Sequence, residues 1–551
     1  MLGSMGRSSD VGGSVNELPP SPPVMRESAL MITPGRLLRM AAIPVYPILA
    51  AAYPVVFLYA QNVHEAIAPS EVLLPLGISL GITLGALLVF RALTRSWPSA
   101  ALMSTLLVVL FFTYGMAWDW IGKMLLGHWV LVSAWALVAV IGISMIWRFD
   151  GLARRVAMPL NVIGASLVGF NLLLIAAFSL NVRPGVTVTG PGLTMTPAPG
   201  PGQALPDVYW VILDRYGSGN VIDKYYDYDN SPFLDELRAR GFYVAEHATA
   251  NYIVTALSMV SSRSMDYLDF ASLRERATAD HDWGPLYSDL SAPFQVEHYL
   301  GSAGYRFLYL GSTWGPTARH PSAEISYVYD QLASEFLDVL ERSTILRAFE
   351  GLGPEAPIDW RRNRWNQIRY QLDSLKRAST LGGPKFVHAH FSLPHDPYIF
   401  HADGSFVAAE DENARTRNVN YADQVQFANS QVLDWLGSLL AVPASERPIV
   451  IIQADEGPRP ARSIAEGGLD WTKATRAELE EKFGILSAFY LPGKTPQEAG
   501  LYDSITPVNQ FRAIFHAYFG MDLPLLPDRN WAFVDRVHIY TQVDVTEKVA
   551  R

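Results

Sequence analysis

Two strongly apolar segments of this 551-residue chain end in acidic residues. Asp214 directly follows the run YWVIL, and the pair Asp455-Glu456 directly follows IVIIQA. Because functional sites of open α/β sheets form at the carboxyl ends of strands, we expect these acids to share one edge of a sheet. Carboxylate oxygens suit hard cations such as Mg²⁺, Mn²⁺ and Ca²⁺. The pattern therefore predicts a divalent-cation site, whereas either acid alone would be explained more simply as a loop residue or a helix cap.

A threonine stands where a helix is expected to begin. The segment ANYIVTALSMVSS (250–262) places Thr255 at this predicted start. A hydroxyl there experiences the positive end of the helix dipole, which favours an alkoxide and an incoming phosphate. A neighbouring metal ion would activate the hydroxyl further. Thr255 is therefore a candidate nucleophile, and an ordinary capping threonine is the competing interpretation.

Three histidines cluster in the segment HAHFSLPHDPY (388–398). Because side chains alternate along a strand, His388 and His390 are expected on one face, and His395 follows in a loop bounded by prolines. Such a cluster beside a strand end is a candidate binding site. The chain contains no cysteine, which excludes disulfides, thiolate metal sites and a cysteine nucleophile. The sequence also lacks the motifs of P-loop proteins and of serine hydrolases.

The elements that must position these residues alternate between strands and helices over residues 207–551. The segment SPFLDELRARGF predicts a helix between the first two strands. Continuous apolar strands alternating with helices predict a mostly parallel sheet covered on both faces. The predicted strands are 207–213, 242–246, 305–310, 385–392, 448–454 and 485–491.

The part of the chain before this α/β domain is strongly apolar. Hydrophobic residues make up 50% of the sequence and charged residues only 17%, which is a composition typical of a membrane protein. Each of five apolar runs has about 20 residues, enough to cross about 30 Å of hydrocarbon as a helix. The runs are 38–60, 71–92, 99–118, 128–147 and 156–181. The resulting organisation is a disordered tail (1–35), a five-span membrane domain (36–182), a Pro/Gly-rich linker (183–206) and the α/β domain (207–551).

Cations flanking the runs predict the orientation in the membrane. Clusters of arginine precede the first run, follow the second and separate the fourth from the fifth, whereas the intervening loops are poor in cations. The positive-inside rule therefore predicts a cytoplasmic N-terminus and an extracytoplasmic α/β domain. The runs contain almost no ionisable residues, which favours an anchor over a channel or transporter. The net charge of −10 argues against a nucleic-acid partner.

Five segments resemble a known family when they are taken in order. VYWVILDRYG, NYIVTALSM, KFVHAHFSLPHDPYIF, VIIQADEGP and YDSITPVNQFRAIFHAYFG occur between residues 207 and 530. Together they resemble the sulfatase-like branch of the alkaline phosphatase superfamily, and with five spans the chain is similar to lipoteichoic acid synthases and phosphoethanolamine transferases. The resemblance implies transfer of a phospho-alcohol group from a membrane lipid phosphodiester to an envelope lipid or glycan through a phosphothreonine intermediate.

The same resemblance implies roles for individual residues. Asp214, Thr255 and Asp455 would bind one divalent cation, with Thr255 also acting as the nucleophile. His395 would contact the oxyanion of the substrate, and His390 is a further candidate for substrate contact.

One position departs from the family pattern in a way that affects the metal. The family usually has Asp-His-Gly where this chain has Asp455-Glu456-Gly457. A glutamate ligand would make the set all-oxygen, which favours Mn²⁺ or Mg²⁺ over Zn²⁺. Its extra negative charge could instead weaken phosphoryl transfer. Two alternatives therefore stay open, namely a phosphate, phosphodiester or sulfate ester hydrolase with the same site, and an envelope-binding pseudoenzyme.

Overall fold

A computed structural model describes residues 43–63, 69–124, 127–181, 205–312, 314–329, 335–349 and 360–550. The predicted tail and nearly all of the predicted linker lie outside these residues. The helices of the N-terminal region are α1 (Tyr46–Gln61), α2 (Pro69–Thr94), α3 (Trp97–Ile121), α4 (His128–Arg148) and α5 (Asp150–Asn181).

Four of these helices, α2 to α5, are long and apolar enough to cross a membrane. They correspond to the second to fifth predicted runs. The first run appears only as α1, which has 16 residues and is too short to meet the same criterion, and the residues before 43 lie outside the described part. Four of the five predicted spans are therefore confirmed as helices of sufficient length, and the first stays a prediction.

The α/β domain is built on a seven-stranded sheet with the strand order β2-β7-β6-β1-β5-β3-β4. Among the described strands of this sheet, β7 alone runs against the others, so the prediction of a mostly parallel sheet is confirmed. Each predicted strand segment contains one strand of the sheet, and β4 was not predicted. The strands are β1 (Val208–Leu213), β2 (Tyr243–Val244), β3 (Arg306–Leu310), β4 (Ile325–Tyr327), β5 (Lys385–Phe391), β6 (Ile449–Gln453), β7 (Ser487–Tyr490) and a separate pair, β8 (Trp531–Phe533) and β9 (Gln542–Asp544).

Helices lie between these strands in the chain. They are α6 (Gly219–Tyr226), α7 (Ser231–Ala239), α8 (Thr255–Ser264), α9 (Phe270–Arg276), α10 (Gly284–Leu290), α11 (Gln295–Ser302), α12 (Glu335–Arg342), α13 (Trp360–Ser379), α14 (Ala409–Ala414), α15 (Arg417–Leu439), α16 (Ala461–Ala465), α17 (Arg476–Phe483), α18 (Pro507–Phe519) and α19 (Thr546–Val549). Short 3₁₀ turns lie at Gly122–Met124, Gly315–Thr317, Ile345–Phe349, Ala444–Glu446 and Trp471–Lys473. The predicted helix between β1 and β2 is α7.

The central strands of the sheet position the acids that follow them. Every residue of β1, β5 and β6 is buried, because helices cover both faces of the sheet. In the register of the sheet, Ile212 of β1 lies beside His390 on one side and beside Gln453 on the other. The chain therefore leaves β1 and β6 at the same level, next to the end of β5.

Candidate active site

Three side chains from adjacent strands meet at the carboxyl edge of the sheet. Asp214 follows β1, His390 belongs to β5 and Asp455 follows β6. One ligand atom from each residue lies within 4.8 Å of the others, and all three side chains are buried. The Nε2 atom of His390 is 3.6 Å from Oδ2 of Asp214. We refer to Asp214, His390 and Asp455 as the acid–histidine group.

The charges of this group are not balanced by its own members. Burial raises the pKa of Asp455 well above its usual range, and the nearby carboxylates of Asp214 and Glu456 raise it further. Burial also acts against the charge of Asp214, but His395, His390 and Arg215 outweigh it, so the pKa of Asp214 lies below its usual range. The two buried carboxyl groups lie so close together that the negative charge of one disfavours ionisation of the other. A cation bound between them would remove this repulsion.

The acid–histidine group has atoms free to bind a cation. Both carboxylate oxygens of Asp455, Oδ1 of Asp214 and Nε2 of His390 are buried and complete no hydrogen bond of good geometry. Buried polar atoms without partners are costly, so this set fits a divalent cation better than it fits a closed protein interior. The set contains an imidazole nitrogen, and the all-oxygen argument for Mn²⁺ or Mg²⁺ over Zn²⁺ therefore no longer applies.

Thr255 lies beside this group at the start of α8. The residue that caps the helix is Val254, and no side chain makes a capping hydrogen bond there. The Thr255 hydroxyl therefore does not act as an ordinary cap. It lies close enough to Asp455 to favour the charged form of that carboxyl group, and the residue is partly exposed, whereas the residues that follow it in the helix are buried. A hydroxyl at a helix N-terminus, next to buried acids, is suited to nucleophilic attack.

Glu456 does not join the acid–histidine group, contrary to the ligand set expected from the sequence. Its Oε1 accepts a hydrogen bond of 2.9 Å from Nε of Arg215, and its Oε2 lies 2.9 Å from Nζ of Lys482. The side chain is only 3% exposed. Because two cations compensate its charge, Glu456 is the centre of a separate ion-paired cluster, which Asp396 completes through its own ion pair with Arg215.

The backbone explains how neighbouring residues reach two different clusters. Arg215 follows Asp214 directly and adopts a left-handed conformation with φ of 64°, which few non-glycine residues tolerate. The chain therefore turns sharply, and Asp214 and Arg215 point to different partners. Backbone strain of this kind is common at functional sites. Lys482 comes from the last turn of α17, which only the tertiary structure brings near.

The three histidines of the predicted cluster separate into three environments. His390 belongs to the acid–histidine group, and its Nδ1 lies 3.1 Å from the Thr317 hydroxyl, which leaves Nε2 facing Asp214. His395 contacts the carbonyl of Asp396 through Nδ1. Burial lowers the pKa of His395 to about 4, so this imidazole is neutral at pH 7. His388 lies in the core, where its ring stacks against Tyr309 and packs against Trp210.

Sequence reasoning overlooked Arg215, Asp396 and Lys482, and it treated His390 as a contact for substrate. The sequence shows that Arg215 follows Asp214, but it does not show which residues Arg215 contacts. Those contacts depend on the left-handed backbone conformation of Arg215. The placement of His390 with the acids could have been suspected from the parallel sheet, since β1 and β5 are neighbours.

Comparison with solved structures finds several resemblances. The chain is similar to the periplasmic domain of EcEptC from Escherichia coli in complex with Zn, at 12% identity and a TM-score of 0.40, over 64% of this chain and 96% of that one. It is similar to the integral membrane protein lipooligosaccharide phosphoethanolamine transferase A from Neisseria meningitidis, at 12% identity and a TM-score of 0.39, over 88% of this chain and 95% of that one.

A third resemblance is to an alkaline phosphatase superfamily protein from Vibrio parahaemolyticus, at 12% identity and a TM-score of 0.39, over 64% of this chain and 80% of that one. No protein-family model matches the sequence, and no curated protein is significantly similar to it. We therefore infer the roles of individual residues from the contacts within this chain.

Proposed function

We propose that the protein is a divalent-metal-dependent transferase that moves a phospho-alcohol group from a lipid phosphodiester to a lipid or glycan of the cell envelope. The observation that carries this proposal is the position of Thr255, a partly exposed residue at a helix start whose hydroxyl lies beside the buried acid–histidine group. This arrangement combines a nucleophile with a site suited to a metal ion, as phosphoryl transfer by covalent catalysis requires.

The cation would be held by Asp214, His390 and Asp455, with the Thr255 hydroxyl as a further oxygen ligand. When bound, such an ion stabilises the negative charge that develops on a phosphoryl group and favours the alkoxide form of a neighbouring hydroxyl. We do not include Glu456 among the ligands, because its carboxylate already forms ion pairs with Arg215 and Lys482.

Thr255 would carry the group between donor and acceptor. Its Oγ1 forms a bond to phosphorus while the bond between phosphorus and the lipid alcohol breaks, and the proton of the hydroxyl ends on the departing alcohol. In the second step an acceptor hydroxyl forms a bond to phosphorus, the bond to Thr255 breaks, and the proton of the acceptor returns to the threonine.

His395 and Arg215 are the groups we expect to contact the phosphoryl oxygens. His395 is neutral at pH 7 and its side chain is 24% exposed, so its free ring nitrogen can donate or accept a hydrogen bond at the site. Burial acts against the charge of Arg215, but Asp396 and Glu456 outweigh it and raise its pKa, so Arg215 keeps its positive charge. A fixed cation and a hydrogen bond aimed at the phosphoryl group lower the barrier to its transfer.

The ion pairs of Glu456 bear on the alternative of a pseudoenzyme. That alternative depended on an uncompensated negative charge near the phosphoryl group. Two cations at 2.9 Å from its oxygens compensate the charge of Glu456. This compensation favours an active enzyme over a pseudoenzyme.

The decisive experiment detects the covalent intermediate. The purified protein, incubated with a divalent cation and a lipid phosphodiester, should carry a phospho-alcohol adduct on the peptide containing NYIVTALSM, measured by mass spectrometry. Thr255→Ala should lose both adduct and turnover with little change in stability, because Thr255 makes no capping bond. Thr255→Ser should keep part of the activity. Full turnover by Thr255→Ala would rule out the covalent mechanism, and equal release of the group to water and to acceptor would favour the hydrolase.

The membrane orientation is part of the same proposal, since an envelope substrate requires an extracytoplasmic site. The arginine clusters support a cytoplasmic N-terminus. A reporter that is active only outside the cytoplasm should be active when fused after residue 190 and inactive when fused near residue 95 or 152. The opposite pattern would contradict the orientation.

A further inference from the structure

Residues 335–349 belong in sequence to the α/β domain, between β4 and α13, yet they pack against the membrane helices. We call residues 335–349 the docking segment. It comprises α12, the 3₁₀ turn Ile345–Phe349 and the two residues between them. We propose that it fastens the α/β domain to the outward end of the helices and lies in the headgroup layer of the outer leaflet, so that it holds the active site next to membrane lipids. The inference deepens the proposed function and depends on it for the identity of the substrate.

The first contact is an apolar one with α1 and α2. Phe336 and Leu340 of the docking segment form a buried cluster with Val55 of α1 and Val72 of α2. Phe336 is 5% and Leu340 is 7% exposed, so this face of α12 is covered by the membrane helices. Removing such apolar side chains from water is the main favourable contribution to a contact of this kind.

The second contact requires a glycine in α3. The backbone nitrogen of Gly115 donates a hydrogen bond of 3.0 Å to the carbonyl oxygen of Ser343. A Cβ atom added at Gly115 would lie 2.6 Å from Cα of Ser343 and closer still to the carbonyl of Arg342. Because the opposing atoms belong to the backbone, they could not move aside without displacing the docking segment. Gly115 therefore permits a close approach that no other residue would allow.

The remaining contacts lie around the 3₁₀ turn. Ala348 packs with Tyr114 and Leu131 of the membrane helices. A nitrogen of the Arg347 guanidinium is 2.7 Å from Oδ1 of Asp119 at the end of α3. The ring of Phe349 meets that of Trp129 edge to face, with centroids 5.5 Å apart.

All of these contacts occur at one end of the membrane helices. They involve the last part of α1 and α3 and the first part of α2 and α4, which are the ends that the arginine distribution places outside. The docking segment thus lies at the level where a helix bundle leaves the hydrocarbon core.

The exposed side chains that the structure describes in the docking segment are those of Val339, Leu346, Phe349 and Arg342, so its uncovered surface is mostly apolar, and it continues onto the membrane helices. Val339, Leu346 and Phe349 are between 43% and 45% exposed, and the neighbouring Trp129 is 53% exposed. Trp120, at the end of α3, is 82% exposed. Exposed aliphatic side chains next to tryptophans at helix ends are typical of the membrane–water interface. Because this face is continuous with helices that lipid surrounds, we identify its partner as a phospholipid surface.

The experiment compares Gly115→Leu with Gly77→Leu in the full-length protein, reconstituted into vesicles of phosphatidylethanolamine and phosphatidylglycerol. A Cβ atom at Gly77 meets nothing within 4 Å, so the same substitution serves as a control in α2. Gly115→Leu should reduce turnover of a membrane-embedded phosphodiester by about tenfold to 100-fold, because catalysis is sensitive to the position of the reacting groups. It should leave turnover of a short, water-soluble phosphodiester unchanged. Equal loss of both activities, or loss of neither, would overturn the inference.

A second measurement does not depend on activity. The chain has no cysteine, so Leu346→Cys can be labelled selectively with a fluorophore. Lipids with a quencher near the headgroup should quench this label in the otherwise unaltered protein, and quenching should weaken when Gly115→Leu is added. Absence of quenching would overturn the lipid contact. If the unaltered protein turned over neither phosphodiester, the proposed function would fail, while the quenching result would still decide the position of the docking segment.

Discussion

The carboxyl edge of the sheet carries two groups of charged residues that differ in how their charges are balanced. In the ion-paired cluster, Glu456 has a cation at each oxygen. In the acid–histidine group, both oxygens of Asp455 are buried and complete no hydrogen bond of good geometry. The two acids are consecutive in sequence and similarly buried, so burial alone does not distinguish them.

The difference between the two groups lies in what each lacks. A buried carboxylate that has its own cations adds little net stability but is costly to disturb, because breaking the pair leaves an isolated charge. A buried carboxylate without partners is unfavourable until something positive binds. The ion-paired cluster is therefore complete as folded, whereas the acid–histidine group would be completed by the proposed cation.

The largest effect is expected from Asp455→Asn, which should abolish divalent-cation binding. Turnover should fall by at least about 100-fold, since a catalytic metal ion supplies several kcal/mol of transition-state stabilisation. Saturating Mn²⁺ or Zn²⁺ should raise the melting temperature of the wild type but not that of the variant, because a ligand stabilises only the state that binds it. A cation-dependent shift of the same size in both proteins would place the metal elsewhere.

Once the cation is removed, Asp455→Asn should make the protein more stable than the wild type. The pKa of Asp455 is raised in the fold, so the metal-free protein is favoured while this group is protonated and loses that contribution as the pH rises through the folded-state pKa. The amide that Asp455→Asn introduces would carry no charge at any pH. In chelator, the variant should therefore be more stable than the wild type, by a margin that grows as the pH rises above about 4. Urea unfolding at several pH values measures this margin.

A smaller effect is expected in the ion-paired cluster, where Lys482→Met should cost about 3 kcal/mol of unfolding free energy. The side chains of Lys482 and Glu456 are 4% and 3% exposed, so the loss leaves a buried carboxylate with Arg215 as its remaining cation. The double variant Lys482→Met/Glu456→Gln should recover most of the loss, because the unpaired charge is gone. Cation binding measured by calorimetry should be retained in both variants.

Glu456→His is the informative control for this cluster. It introduces the residue that is usual in the resembled family, but here it places an imidazole between Arg215 and Lys482. We expect it to destabilise the protein as a broken ion pair does. A variant that is more stable than the wild type and binds a cation more tightly would show that position 456 belongs to the acid–histidine group after all.

This contrast also shows how far the sequence could lead. The apolar runs before Asp214 and Asp455 predicted buried strands, and the adjacency of their ends followed from a parallel sheet. The position of Thr255 at a helix start followed from its segment. These predictions succeed because they depend on local patterns and on one general property of α/β sheets.

The position of Glu456 outside the acid–histidine group could not be predicted, because the direction of a side chain beyond a strand end is not a local property. It depends on the left-handed turn at Arg215 and on Lys482, which reaches the site from a helix 26 positions later in the chain. The docking segment was likewise not predicted, since its partners are the membrane helices more than 200 positions earlier. Sequence patterns identify which residues are buried more readily than which residues meet.

The smallest effect is expected from His388→Phe, which tests whether position within the histidine cluster or contact with the acids decides function. His388 and His390 are two positions apart on one strand and are both buried. Neither ring nitrogen of His388 has a hydrogen-bond partner, and burial lowers its pKa well below the usual range, so it is neutral and only packs against aromatic rings. Phenylalanine keeps that packing and removes two unsatisfied polar atoms, so stability should rise by about 1 kcal/mol or stay unchanged.

The matched variant is His390→Phe, which removes the Nε2 atom that faces Asp214 and the contact of Nδ1 with Thr317. It should weaken cation binding by about tenfold to 100-fold, whereas His388→Phe should leave both cation affinity and turnover at the wild-type level. Calorimetric titration of the two variants with Zn²⁺ and Mn²⁺ separates these outcomes. Equal losses in both variants would mean that the aromatic packing of β5, rather than the imidazole of His390, maintains the site, and the acid–histidine group would then lose its nitrogen ligand.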